Sequence, residues 1–173
     1  MSTTGDKATA QGGVLTITTT PSNASGRVFV KSRNTWALDE SSVSINLLQV
    51  VSASGGVNLK FRVESPATPW NEGIGFWYER GVLSAFLVTG GLEEDVAVFP
   101  WSAADDAYLR LRESGNTLYW DTSADGIVWI ARANTPDANV NLPLSGVTLV
   151  FDMKEYSTGS ASPGSGKFAH LNE

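Results

Sequence analysis

The sequence predicts an all-β protein in which two antiparallel sheets pack into a sandwich. Residues 57–64 give the clearest indication, because four apolar side chains alternate with four polar or charged ones along this segment. Such alternation places the apolar side chains on one face of a strand and the polar ones on the other. Similar segments recur about every ten residues without an amphipathic helix between them, so we expect a sandwich or barrel and no β-α units.

The predicted strands are rich in β-branched and aromatic residues, which favour pleated, half-buried segments. They cover residues 14–20, 27–33, 42–52, 57–64, 73–80, 82–89, 94–99, 107–113, 116–122, 127–133, 146–154 and 166–171. Glycine-containing segments at 54–56, 114–116 and 125–126 separate several of them and are typical of hairpin turns. Residues 101–108 predict at most one short helical turn, capped by Ser102.

The length and organisation of the chain predict one domain. A chain of 173 residues fits a single sandwich comfortably. We expect a polar N-terminal arm at residues 1–13 and a β-sandwich domain at residues 14–173. The arm is expected to contact a neighbouring subunit or another partner.

The charge and residue counts exclude several classes of function. The net charge is −6, because 18 acidic residues outnumber 12 basic ones. This balance argues against nucleic acid as a partner, since binding to phosphates depends on an excess of basic side chains. The chain has no cysteine and a single histidine, His170, so thiolate chemistry, a histidine-based triad and a multi-histidine metal site are excluded. No segment has the length of a signal peptide or a membrane span, so we expect synthesis in a host cytoplasm without a signal peptide and no membrane partner.

Acidic residues cluster at three places, residues 93–95, 105–106 and the pair Asp121 and Asp125. None has the spacing of a calcium loop, so we expect solvated faces, no metal and no cofactor. The segment from Ser123 to Trp129 is one residue shorter than an Asp-box. We expect it to form a two-residue Asp-Gly hairpin with Trp129 packed inward.

The C-terminal half carries a recognisable series of motifs. Residues 99–113 end in Tyr-Leu-Arg-Leu-Arg-Glu, residues 114–129 contain Trp-Asp-Thr-Ser-Ala-Asp-Gly-Ile-Val-Trp, and residues 163–172 close with Pro-Gly-Ser-Gly-Lys-Phe-Ala-His-Leu-Asn. This series resembles the concanavalin A-like, laminin-G-like jelly-roll modules of actinobacterial secreted proteins and phage minor tail proteins. Ala169 and His170 stand where that family usually has Asp and Asn.

The resemblance covers roughly residues 74–172 and implies two antiparallel sheets of six or seven strands, one of them curved. Modules of this family bind glycans, mediate adhesion or act as spacers, so the resemblance implies function only loosely.

Aromatic and charged side chains on the strands are candidates for a binding face. Alternation places Trp77, Glu79 and Phe86 opposite the aliphatic core set of their strands. Three residues of another strand alternate in the same way and are expected to join them; these are Tyr108, Arg110 and Arg112. Rings flanked by hydrogen-bonding groups are typical of glycan sites. Contact with another subunit and internal packing are the alternatives.

Two loop tryptophans, Trp70 and Trp101, follow prolines, and loop aromatics often serve recognition. Packing at the ends of the sandwich is the alternative for both.

Some proteins with concanavalin-like folds are glucanases, and their catalytic strand has the signature Glu-x-Asp-x-x-Glu. We compare the sequence with this signature. Glu93 and Asp95 begin this pattern, but the third carboxylate position is Val98. The sequence therefore predicts no catalytic residues and no enzyme.

These observations predict a non-enzymatic phage virion surface protein, a capsid decoration or minor tail protein that is structural and adhesive. Its expected partners are other virion proteins or its own subunits in a homo-oligomer, with a glycan as a further ligand, at the virion surface or outside the cell. The alternative is a carbohydrate-binding module of a bacterial surface or secreted system.

Overall fold

The computed structural model describes residues 7–19, 27–49, 57–155 and 165–169, and these form two antiparallel β-sheets packed face to face. One sheet has seven strands and the other six. The predicted fold class, an all-β antiparallel sandwich, is confirmed.

The seven-stranded sheet has the order β1-β2-β13-β4-β9-β10-β11. Its strands are β1 (Lys7–Gln11), β2 (Val14–Thr18), β4 (Ser42–Gln49), β9 (Tyr108–Glu113), β10 (Thr117–Ser123), β11 (Ile130–Pro136) and β13 (Ser165–Ala169).

The six-stranded sheet has the order β3-β12-β5-β6-β7-β8. Its strands are β3 (Arg27–Lys31), β5 (Val57–Glu64), β6 (Gly73–Glu79), β7 (Val82–Thr89), β8 (Leu92–Pro100) and β12 (Thr148–Glu155).

The core lies between the sheets and is built from alternate residues of both. The alternation at residues 57–64 behaves as predicted, because its four apolar side chains face this core. Phe61 stacks on Phe151 at a centroid distance of 5.6 Å, and Phe151 meets Phe168 of the other sheet at 4.8 Å. These contacts join the central strands of the six-stranded sheet to β13.

Trp120 links the two sheets through a hydrogen bond as well as through packing. Its side chain on β10 is fully buried, and its indole N–H donates to the carbonyl oxygen of Gly75 on β6 at 2.8 Å. A buried indole N–H needs such a partner, since an unpaired donor in the core is costly. The pairing therefore fixes β10 over the middle of β6.

Strand bounds agree with the sequence prediction for most of the chain, with two differences. Residues 7–11 form strand β1, which pairs with β2 although all five of its side chains are exposed. Strand β11 begins at Ile130, three residues later than predicted. The division of the chain at residue 13 stays a prediction, and residues 1–6 lie outside the described part.

The described segments contain little helix. A single 3₁₀ turn covers Asp137–Asn139, and the predicted turn near Ser102 is present as hydrogen bonds from the Asp105 and Asp106 amides to the Ser102 carbonyl. No helix within these segments is long and apolar enough to span a membrane.

The loop between β10 and β11 is longer than the predicted two-residue hairpin, because β10 ends at Ser123 and β11 begins at Ile130. The exposed Asp125 carboxylate organises this loop by accepting hydrogen bonds from the Ile127 and Val128 amides at 2.8 and 2.9 Å. Trp129 is half-buried and lies against Arg110, at 4.1 Å, instead of packing inward.

The pKa of Asp125 lies below its usual value because the Val128 and Ile127 amides and the Ser123 hydroxyl bond the charged form. A carboxyl whose pKa falls on folding stabilises the fold above its unfolded pKa and loses that contribution as the pH falls through the folded value. We therefore expect the protection of the Ile127 and Val128 amides from hydrogen exchange, measured relative to an unstructured peptide at the same pH, to fall as the pH drops below the ordinary aspartate pKa of about 3.9. Asp125→Asn keeps an acceptor oxygen but should show no such transition, and an identical pH profile in this variant would contradict the assignment.

Candidate functional site

The outer face of the six-stranded sheet contains a cleft of about 300 Å³. Its walls are unusually rich in charge and come from β3, β5, β12, the β5–β6 loop and the β7–β8 hairpin. The lining residues are Arg27, Lys60, Arg62, Trp70, Val88, Gly91, Glu93, Asp152 and Lys154. This cavity is called the cleft below.

The polar side of the alternating strand β5 supplies the floor of the cleft. Arg62 and Glu64 point away from the core but are only 3% and 1% exposed. Both lie opposite glycines of the neighbouring strand, since Arg62 pairs with Gly75 and Glu64 with Gly73. A Cβ at Gly75 would lie 2.5 Å from the Arg62 Cβ and 2.8 Å from a ring carbon of Phe86. The missing side chains of β6 therefore leave room for the Arg62 and Glu64 side chains.

Glu64 is the acceptor for a buried network. It forms an ion pair with Arg62 and a second one with Lys31 at 2.9 Å, and it accepts the Trp70 amide at 3.3 Å. Two cations thus share one carboxylate. Burial lowers the pKa of Arg62, while the negative charges of Glu64 and Asp152 act in the opposite direction.

Trp70 lies against two guanidinium groups, those of Arg62 and Arg27, at the edge of the cleft. Its ring lies 3.8 Å from the Arg62 guanidinium and 4.1 Å from that of Arg27, and it meets Phe29 edge to face. Its backbone has φ of +72°, which is rare for a bulky L-residue and is maintained only by surrounding contacts. The Trp70 amide bond to Glu64 is one such contact, so the buried network also fixes this ring.

The two carboxylates that line the cleft are both paired. Arg27 binds Asp152 through two nitrogen atoms at 2.6 and 3.0 Å, and Lys60 binds Glu93 at 2.6 Å. The Lys60 ammonium also lies 5.0 Å from the centroid of the Phe86 ring.

The predicted residues of β6 and β7 lie on this outer face. Trp77 is half-buried beside Lys60, its cross-strand neighbour, and its indole N–H donates to Asp95 at 3.1 Å. Glu79 is half-buried two residues further along β6. Phe86 is fully buried, so its ring packs near the Lys60 ammonium and does not face solvent.

The expectation that Tyr108, Arg110 and Arg112 join this face is wrong. They belong to β9, which lies in the seven-stranded sheet on the opposite side of the sandwich. There both arginines bind Asp121, and Arg112 stacks on Tyr119 at 3.6 Å. The alternation along β9 correctly predicts that these three side chains point away from the core. It carries no information about which sheet the strand joins.

The loop tryptophans also separate. Trp70 lines the cleft, whereas Trp101 packs edge to face on the core residue Tyr78 at 5.4 Å and donates to the Asp106 carbonyl. Trp101 therefore packs against the sandwich, which is the alternative that the sequence left open for it.

The acidic clusters are only partly the solvated faces that the sequence predicts. Glu94 and Asp105 are exposed, but Asp106 and Asp121 are buried, each about 1% exposed. Asp106 is neutralised by Arg132 at 2.6 Å and Asp121 by two arginines. A buried carboxylate needs a nearby cation, and here the arginines come from neighbouring strands. The sequence around each acidic residue therefore does not reveal that it is buried.

Sequence reasoning missed five charged residues of the cleft. These are Arg27, Lys60, Arg62, Asp152 and Lys154. The local signals were the polar face of residues 57–64 and the glycines at alternate positions of β6, Gly73 and Gly75. The remaining residues come together because β12 pairs with both β3 and β5, across more than 80 residues of sequence.

The fold defines the class of protein to which the chain is similar. Two antiparallel sheets in this arrangement form a concanavalin A-like jelly roll, which confirms the predicted resemblance at the level of the fold. No protein-family model matches the sequence, and no curated protein sequence matches it significantly.

Solved structures with this fold include several β-glucanases. A β-glucanase from Bacillus licheniformis has a TM-score of 0.66 and 14% identity, over 95% of this chain and 80% of the other. SCLam, a non-specific endo-β-1,3(4)-glucanase of family GH16, has a TM-score of 0.66 and 10% identity, over 93% and 71%. The catalytic domain of a laminarinase from Thermotoga petrophila has a TM-score of 0.66 and 8% identity, over 95% and 78%.

These comparisons contradict two predictions made from the sequence. The similar structures are glucan-processing enzymes and none of those described above is a virion component, so the prediction of a phage virion surface protein is wrong. The prediction that the protein is not an enzyme is overturned for the same reason. Absence of the Glu-x-Asp-x-x-Glu spacing excludes one arrangement of catalytic carboxylates and not every enzyme that could use this fold.

Proposed function

We propose that the protein binds a glycan chain along the outer face of the six-stranded sheet. The observation that carries this proposal is the cleft, which has a volume typical of ligand sites and is lined by a tryptophan and several hydrogen-bonding charged groups. The similarity of the fold to β-glucanases supports a glycan as the ligand class. It also favours the carbohydrate-binding alternative over the virion prediction.

The chemistry of the face suits sugars. Arginine, lysine and carboxylate groups exchange hydrogen bonds with hydroxyls, and aromatic rings pack against the C–H faces of pyranoses. Trp70 stands at the cleft, and Trp77 follows on β6 next to cleft-lining Lys60. Two tryptophans on the same side of the sheet suit an extended ligand with several sugar units.

The proposal predicts that Trp77→Ala weakens glycan binding roughly tenfold, the effect of losing about 1.4 kcal/mol of ring contact. Affinity electrophoresis in gels containing mixed-linkage β-glucan, laminarin or polygalacturonate measures this. Trp129→Ala is the matched control, because that half-buried ring lies on the opposite sheet against Arg110. Unretarded wild-type protein in every gel, or equal losses in the two variants, would contradict the proposal.

Hydrolysis of the bound chain is a second candidate, favoured by one observation. Glu72 is nine-tenths buried, its Oε1 accepts the Gly90 amide next to cleft-lining Gly91, and its Oε2 has no hydrogen-bond partner in the described part of the chain. Glycoside hydrolysis commonly uses a pair of carboxyl groups, and Glu93, two residues after Gly91, lines the cleft.

Release of reducing ends from mixed-linkage β-glucan tests this candidate. Activity in the wild type that is lost in Glu72→Gln and retained in Glu94→Gln, an exposed control on β8, would support it. Equal rates in both variants would assign the activity to other residues.

A further inference from the structure

We propose that the cleft is specific for sugars that carry a negative charge, a carboxylate or a sulfate group. This inference rests on the proposed glycan-binding function and names the ligand class of the same site. It follows from the charge balance of the cleft, the hydrogen-bonding state of Arg62 and the arrangement of the neighbouring cations.

The cleft is positively charged in an acidic protein. Four cations line it, against two carboxylates, whereas the whole chain has a net charge of −6. The four cations are Arg27, Lys60, Arg62 and Lys154. A local excess of one sign in a partly enclosed space attracts ligands of the opposite sign. Because the rest of the protein repels polyanions, anion binding elsewhere on its surface is disfavoured.

The hydrogen-bond donors of Arg62 at the cleft floor are not all paired with carboxylate oxygens. Arg62 shares Glu64 with Lys31, and its Nε has no hydrogen-bond partner among the described residues although the side chain is only 4% exposed. A buried guanidinium with an unpaired N–H is costly and requires an explanation. Arg62 and Lys31 together carry two positive charges against the single negative charge of Glu64. An anionic group of a ligand near the cleft floor would balance the remaining positive charge.

The cations come from three adjacent strands, with the carboxylate of Asp152 among them. Lys154 on β12 pairs across the sheet with Arg27 on β3, and Lys60 on β5 pairs with Asp152. An acidic group entering the cleft would therefore meet cations from β3, β12 and β5. A neutral sugar needs hydrogen-bonding groups but gains nothing from this excess of charge.

A buried ion pair contributes little net stability, since apolar replacements of similar size are often neutral or stabilising. The fold by itself therefore does not require the Arg62–Glu64 pair. Anion recognition gives the pair a function that an apolar floor could not perform.

The test compares three oligosaccharides of equal length by tryptophan fluorescence, with Trp70 in the cleft as a reporter. Oligogalacturonate supplies carboxylates, a carrageenan oligosaccharide supplies sulfates, and a mixed-linkage β-glucan oligosaccharide is neutral. At least one anionic oligosaccharide should bind ten times or more tightly than the neutral one, and its affinity should fall as salt is raised from about 50 to 500 mM, because screening weakens charge attraction.

Single-charge variants locate the effect. Lys60→Gln and Lys154→Gln should each weaken anion binding about three- to tenfold, as expected for one lost charge contact. Lys7→Gln on the exposed strand β1 of the other sheet should leave it unchanged. The double variant Arg62→Met/Glu64→Leu should remain folded by circular dichroism and bind anions more weakly, but it should keep part of the preference because the other three cations still line the cleft.

The outcomes separate this inference from the proposed function. Neutral and anionic oligosaccharides binding equally, without salt dependence, would overturn the anion specificity and leave glycan binding intact. Anion binding that is unchanged in Lys60→Gln and Lys154→Gln would also overturn it. Absence of binding to all three would overturn both, and the ratio of the carboxylate and sulfate affinities identifies the preferred group.

Discussion

Replacing Glu64 by glutamine is expected to lower the free energy of unfolding by about 3–5 kcal/mol, because it leaves the buried guanidinium of Arg62 without its counter-charge. Glu64 is 1% exposed and serves Arg62, Lys31 and the Trp70 amide together. Urea denaturation at neutral pH measures the loss. Trp70 should also become more mobile in this variant, since glutamine leaves one acceptor oxygen where the Arg62 and Lys31 cations and the Trp70 amide shared two.

Glu94→Gln is the matched control for this prediction. Glu94 is an exposed glutamate on the edge strand β8, and its replacement should change stability by less than about 0.5 kcal/mol. A Glu64→Gln variant that is as stable as this control would show that Arg62 is not held by the buried pair.

Replacing Trp120 by alanine is expected to cost about 3–5 kcal/mol, because the change opens a cavity between the two sheets. Trp120→Phe keeps most of the ring but removes the donor to the Gly75 carbonyl and should cost about 1–3 kcal/mol. Thermal or urea denaturation followed by circular dichroism measures both.

Trp129→Ala controls for the loss of a tryptophan as such. Trp129 is half-buried outside the sandwich core, on Arg110, so its removal should cost about 1 kcal/mol or less. Equal destabilisation by Trp120→Ala and Trp129→Ala would contradict the role of Trp120 as the link between the sheets.

Much of the fold could be predicted from the sequence because strands of a sandwich carry a period of two. Residues 57–64 show this directly, since every apolar position of β5 faces the core as expected. Strand β1 escaped prediction because its five side chains are all exposed and its two apolar residues, Ala8 and Ala10, are small, so the alternation in hydrophobicity is weak. Its position is set by backbone pairing with β2, which leaves no mark on side-chain polarity.

The functional face was harder to predict than the fold. Trp77 and Trp70 were recognised as candidates from their local sequence, and both lie on the outer side of the six-stranded sheet or at its cleft. The assignment of Arg110 and Arg112 to the same face failed because the chain crosses from the six-stranded to the seven-stranded sheet between β8 and β9. Alternation identifies the two sides of a strand but not the sheet to which the strand belongs.

The buried charges of the cleft illustrate a second limit. From the sequence, Arg62 and Glu64 belong to the polar side of β5 and would be expected in solvent. They are buried because Gly73 and Gly75 leave space on the neighbouring strand and because Trp70 lies over Arg62. The glycines at alternate positions of β6 were the available sequence signal, since glycine within a strand often marks a close approach of another chain segment.

Nuclear magnetic resonance mapping tests the central claim, glycan binding in the cleft, most directly. The ¹⁵N-labelled protein is titrated with oligogalacturonate and, in parallel, with a mixed-linkage β-glucan oligosaccharide. We expect saturable shifts at the backbone amides of Lys60, Arg62 and Lys154 and at the indole N–H groups of Trp70 and Trp77. Shifts confined to Arg110, Arg112 and Trp129 of the opposite sheet, or no shifts with either ligand, would contradict it.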